Sequence, residues 1–103
     1  MMIFNVVYSP EVYNDLQDAI DFYNSRKSGL GFKYIKTVKL HLSKIKSNAF
    51  GFQIRYADIR CAPINKFPYT VHYRVLPKTM TIMITAILCD YRNPQIGDHR
   101  SSS

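Results

Sequence analysis

In the stretch KFPYTVHYRV, Lys66 to Val75, polar side chains fall at every second position: Thr70, His72 and Arg74. A histidine titrates near neutrality, so His72 has the chemistry of a general base or acid. Arg74 carries a planar fork of donors that can grip a carboxylate or a phosphate with two bonds, as can Arg60 before the turn and Arg92 further on. No carboxylate or lysine is placed beside His72 by the sequence, so its plainest reading is a solvated strand residue. An active site, a docking surface and the wet side of a sheet all stay open for this polar row. His41 and His99 share no metal-ligand spacing with another His, Cys or Asp, and Cys61 and Cys89 form no CxxC. No metal and no cofactor are expected. The two cysteines read as reduced, mostly buried thiols.

The chain has 103 residues, the size of one domain, and a formal net charge of +7. The charge is unevenly placed. Four of the seven acids, Glu11, Asp15, Asp18 and Asp21, fall in one short segment. From Phe22 to Ala57 there is no acid, while Arg26, Lys27, Lys33, Lys36, Lys39, Lys44, Lys46 and Arg55 all lie there. Such a field attracts nucleic acid or an acidic protein segment, or it is a solvated helix face that keeps the protein soluble. A hydrophobic fraction of 47% argues against disorder. No apolar run approaches the ~20 residues that span a bilayer. The opening MMIFNVVYSPEVY has no basic stretch ahead of an apolar one. The expectation is a cytoplasmic protein with no membrane partner.

These residues need a frame to hold them. Ile3 to Tyr8 is β-branched and aromatic and reads as a strand. Ser9-Pro10-Glu11 then opens a helix, with serine as cap, proline at the first position and an acid at the positive end of the dipole. Val12, Leu16, Ala19, Ile20 and Tyr23 make its apolar stripe, and SGLG at 28–31 stops it. A second helix is predicted from about Gly31 to Ser47, with Ile35, Val38, Leu42 and Ile45 on one face. The short glycine-containing link favours an antiparallel helical hairpin. Beyond Ala49 the period falls to two. Arg55 to Ile64 reads as one strand, at a sheet edge or ending at Ala62 because of Pro63. Tyr69 to Val75 is the next, with Tyr69, Val71, Tyr73 and Val75 on one face. Met80 to Leu88 is apolar enough to be a central strand covered on both sides. The order is β-α-α-β-β-β: an α+β fold with an N-terminal strand, a helical hairpin and a three-stranded antiparallel meander in one small, mainly antiparallel sheet. Residues 1–100 form the domain and 101–103 a frayed tail.

The ordered set of features resembles the RelE/ParE superfamily, the toxins of type II toxin–antitoxin modules. It comprises the element order, DLQDAIDFY in the first helix, Arg60, the FPY turn with Tyr69 and then Tyr73, the apolar last strand, and Arg92-Asn93-Pro94 after it. The resemblance covers about Ile3 to Arg100. It implies a growth-inhibiting, plasmid-stabilising cytoplasmic toxin neutralised by a cognate antitoxin, whose acidic or amphipathic segment wraps the basic toxin.

The superfamily divides by target, and the residues bear on the division. RelE-like members cut messenger RNA on the ribosome. That chemistry needs activation of the 2′-hydroxyl, cations for the charge on phosphorus and a donor for the leaving oxygen. Where relatives carry sheet lysines this chain has Cys61 and Pro63, and where they carry a strand arginine it has Thr70. Arg92 is retained, with no tyrosine after it. Against the ParE-like pattern, Cys89 stands where a histidine is expected and Gly97 where a tryptophan is, while Arg100 matches a closing arginine. The reading is a ParE-like binding toxin directed at DNA gyrase rather than an enzyme, with Arg60, Thr70, His72, Arg74, Arg92 and Arg100 contacting target or antitoxin. The alternatives are a metal-independent, RelE-like messenger RNA endoribonuclease using Arg60, His72 and Arg92, and an inactive relative that only binds its antitoxin. The resemblance also implies that Arg60 and Arg92 meet at one end of the sheet.

Overall fold

The computed structural model describes residues 3–91; Arg92, Gly97, His99, Arg100 and the 101–103 tail lie outside the described residues. The elements are β1 (Asn5–Tyr8), α1 (Pro10–Arg26), α2 (Leu30–Ser47), β2 (Ile54–Tyr56), β3 (Ile59–Pro63), β4 (Tyr69–Leu76) and β5 (Thr81–Cys89). They form an α+β fold: one mixed, five-stranded sheet of order β1-β5-β4-β3-β2, with the helical hairpin packed on one face. The meander strands are antiparallel to one another, while β1 runs parallel to β5.

α1 starts where the Ser-Pro-Glu signal puts it, with Pro10 in the first turn and Glu11 at the positive dipole end. Ser9 does not cap through its side chain. Its hydroxyl instead donates to the Thr85 carbonyl (3.2 Å) and its amide to the Ile84 carbonyl (2.9 Å), which ties the helix entrance to β5. The hairpin turns at Gly29, whose φ of +86° suits glycine. Gly31 lets the helices close: a Cβ there would lie 2.8 Å from both the Ile20 carbonyl oxygen and Asn24 Oδ1. The Gly31 amide donates to that same Asn24 oxygen at 2.9 Å.

The core lies between hairpin and sheet. Val12, Tyr34, Val38, Ile45, Val71, Tyr73, Ile82 and Ile84 are fully buried there. An aromatic cluster closes one end, with Tyr23, Tyr34, Phe67 and Tyr69 packed edge-to-face or tilted at centroid separations of 5.0–6.0 Å. The Phe67-Pro68-Tyr69 turn is what sends the Phe67 edge under both helices. Burial raises the pKa of two of these phenols, pushing Tyr23 up to about 12 and Tyr34 further.

The segment expected as one strand from Arg55 to Ile64 is a hairpin of two, β2 and β3. It reverses at Ala57-Asp58, where Ala57 takes φ +47°. The edge strand is therefore β2, and β3 is interior. Pro63 is still accommodated by alternation. The Ile64 amide donates to the Tyr69 carbonyl and the Cys61 amide to the Gln53 carbonyl on the opposite side. The Pro63 nitrogen thus points to the β2 side, past the end of that short strand. Both cysteines are reduced thiols, half-buried rather than mostly buried.

Candidate functional site

The face of the sheet away from the helices is set by register. Directly opposed residues share a face, so Cys61, His72 and Ala86 form one row, Pro63, Thr70 and Leu88 a second, and Val7, Met83 and Arg74 a third. Thr70, His72 and Arg74 are half-buried on this outer face, while Tyr69, Val71 and Tyr73 are buried on the other. The alternation seen in the sequence is the actual division of β4.

Each of the three polar side chains is held by a neighbour from another element. The Thr70 hydroxyl donates to Asp90 Oδ1 at 2.6 Å, just past β5. Arg74 Nη2 pairs with Asp58 Oδ1 at 3.0 Å, from the β2–β3 turn. His72 Nδ1 lies 2.7 Å from the Tyr56 hydroxyl and 3.5 Å from Cys61 Sγ. Tyr56 reaches across β3 to do this, which requires the extra strand. A bulge in β5, where His72 opposes Ala86 and Tyr73 opposes Ile84, leaves Thr85 to donate to the His72 carbonyl (3.2 Å). His72 is thus fixed at its ring and its backbone.

Sequence reasoning placed Thr70, His72 and Arg74 together and missed Tyr56, Asp58 and Asp90. Recognising a two-residue reversal at Ala57-Asp58 would have put Tyr56 opposite Ile59 on this face. Arg60 is not brought to the group. It opposes Tyr73, on the helix side. There its Nη1 donates to the Phe52 carbonyl at 2.6 Å, and its guanidinium sits 5.3 Å from the Phe50 ring centroid. Arg60 fastens the loop after α2. Arg92 and Arg100 lie outside the described residues. His41 is buried on α2, where its Nε2 accepts the Asn65 amide at 3.0 Å. Burial, and then the Lys44 charge, hold its pKa below the usual value.

The charge has its own layout. No strand contains a lysine; Lys33, Lys36, Lys39, Lys44 and Lys46 all ride on α2, behind the sheet. Among the described residues of β3, β4 and β5 the outer face therefore carries one arginine, Arg74, matched by Asp58, and no lysine; the exposed Arg55 stands at the register shift in β2. Among the described residues no group of three His, Cys, Asp or Glu side chains could hold a metal ion. No described helix is long and apolar enough to cross a membrane.

The backbone matches two solved structures over nearly its whole length. A chain of the chromosomal ParDE toxin–antitoxin system from P. aeruginosa superposes with TM-score 0.74 at 14% identity, over 86% of this chain and 98% of that one. The isolated E. coli RelE toxin superposes with TM-score 0.65 at 12% identity, over 96% and 97%. This is the RelE/ParE fold. No family model matches the sequence, and no curated protein sequence matches it. At such identities the RelE/ParE likeness is one of architecture, and the outer face has to be read from its own residues.

Proposed function

We propose that this chain is the toxin of a type II toxin–antitoxin module. In this reading it is ParE-like, acting in the cytoplasm by binding an essential target, DNA gyrase first, and it is neutralised by a cognate antitoxin. The likeness to the ParDE chain and to RelE supports the toxin reading. The observation that carries binding over catalysis is the outer face. The polar groups of β4 are engaged pairwise with Asp90, Asp58 and Tyr56, so Arg74 is already balanced. That arrangement offers a shaped, near-neutral docking surface. Among its described residues no cluster of cations stands ready to gather a phosphate's charge.

A second reading has one observation in its favour. The Tyr56–His72 pair at 2.7 Å is a held imidazole, the form a general base takes in endoribonuclease chemistry. Arg60, on the helix side of the sheet, does not face that imidazole.

Expression of the chain alone in a bacterium, with and without the neighbouring small reading frame, separates these readings. Filamentation with a DNA-damage response, together with loss of supercoiling by purified gyrase, supports the gyrase reading. Rapid loss of protein synthesis with cut messages, abolished by His72→Ala, supports the nuclease. Normal growth marks an inactive relative that only binds its antitoxin.

A further inference from the structure

We propose that Cys61 is an activated thiol, the site at which this chain takes up a low-molecular-weight disulfide as a mixed disulfide. Sheet register holds the two reacting groups together, since Cys61 of β3 and His72 of β4 are direct cross-strand partners. The sulfur sits 3.5 Å from Nδ1 on the face of the sheet away from the helices, and the thiol is half-buried, not sealed in the core. An adjacent imidazole that accepts the thiol proton leaves a thiolate beside a cation, the arrangement that makes a cysteine nucleophilic at neutral pH. Tyr56 and Cys61 share the one lone pair of Nδ1: the Tyr56 O–H turns away for the thiol proton to reach that nitrogen, and its oxygen then accepts from Nδ1–H without moving. Among the described residues of β3, β4, β5 and the β2–β3 turn, the other titratable or charged groups on this side are Asp58 and Arg74, paired to each other, and Asp90, bonded to Thr70.

The step balances without a further reagent. The Cys61 proton passes to His72 Nδ1. The thiolate attacks one sulfur of the small disulfide, the new S–S bond forms and the old one breaks. The leaving thiolate takes the proton from the imidazolium. Cys89 provides an internal reference. It opposes Tyr69 and packs against the helix-side core, half-buried like Cys61. A group carried on Cys61 would also cover the row that the binding reading uses for docking. That consequence depends on the toxin reading, whereas the reactivity of the thiol does not.

The test uses two single-thiol chains, Cys89→Ser and Cys61→Ser, and glutathione disulfide as the probe. Mixed-disulfide formation is followed by intact mass between pH 5.5 and 9.5. The chain retaining Cys61 is expected to show a rate profile inflecting about one pH unit or more below the ~8.5 of an ordinary thiol. Adding His72→Gln should return that inflection toward the ordinary value, with circular dichroism confirming the fold. A Cys61 profile that coincides with that of Cys89, or one unmoved by His72→Gln, overturns the proposal. If His72→Gln does not fold, the comparison of the two thiols decides alone.

Discussion

The two faces of the sheet are made from the same strands and solve opposite problems. The helix-side face is sealed, and the Tyr73 hydroxyl, fully buried on β4, donates to the Ala49 carbonyl at 2.7 Å. Burial pushes that phenol up to about 12, which keeps it a neutral donor. The outer face keeps polar groups every second residue and satisfies them with side chains from β2, the β2–β3 turn and the end of β5. One face spends its residues on stability. The other holds defined side chains at the surface, where a partner can meet them.

The contrast predicts a steep gradient of mutational cost. Tyr73→Ala, which removes a fully buried ring and its bond to Ala49, is expected to destabilise by about 3–5 kcal/mol in urea unfolding. A loss under ~1 kcal/mol would mean that the helix layer repacks and that the two faces are not so different. Asp15→Ala comes next. β1 ends opposite Ile84 while β5 continues, and Asp15 Oδ2 accepts from the Ile87 amide at 3.0 Å. Leaving that buried donor bare should cost about 1–3 kcal/mol, read from the same unfolding curves.

Much of this frame is written locally, and what was missed is not. The Ser-Pro-Glu start, the glycine link and the alternation of Tyr69 to Val75 are short-range signals, and the helices and β4 follow them within a residue or so. The reversal at Ala57-Asp58 carries no glycine, although Ala57 takes the positive φ that glycine usually supplies in a tight hairpin. Missing that turn lost β2 and, with it, Tyr56 beside His72. It also left the parity of Arg60 unfixed, because its face is decided by its opposition to Tyr73, a long-range fact. The site's centre was readable from one strand; its ring of partners required the sheet.

Two tyrosine hydroxyls sharpen the energetics within the sealed face. Tyr34 is as buried as Tyr73, yet among the described residues its hydroxyl has no hydrogen-bond partner. Tyr73→Phe should therefore lose about 1 kcal/mol, and Tyr34→Phe should be neutral or gain up to about 1 kcal/mol. Opposite signs from the same substitution, measured side by side, would establish that the bond and not the ring accounts for the difference. Equal losses would show that Tyr34 finds a partner.

His41 adds a pH term on the helix side. Its folded pKa is lowered by burial and by Lys44, so the folded state resists protonating it while the unfolded chain does not. Its contribution is complete above the unfolded value near 6.5 and is lost as the pH falls through that value toward the lowered folded one. The melting temperature should fall between pH 7.5 and 5. His41→Gln should flatten that part of the slope; a slope unchanged by the substitution would assign it to other groups.

The smallest stability effect belongs to the outer face, and it is the most telling for function. The Arg74–Asp58 pair is solvent-accessible on both sides, with side chains 35% and 62% exposed. Such pairs contribute little, so Asp58→Ala should change stability by less than about 0.5 kcal/mol. It would, however, free Arg74 on the outer face and change the local charge by one. If the outer face docks a partner, Asp58→Ala should alter growth inhibition or partner affinity by severalfold while the unfolding curve stays still. A variant that leaves both untouched would remove Arg74 from the docking surface and move attention to Thr70 and His72. One that unfolds the chain would mean that this face, too, is part of the scaffold.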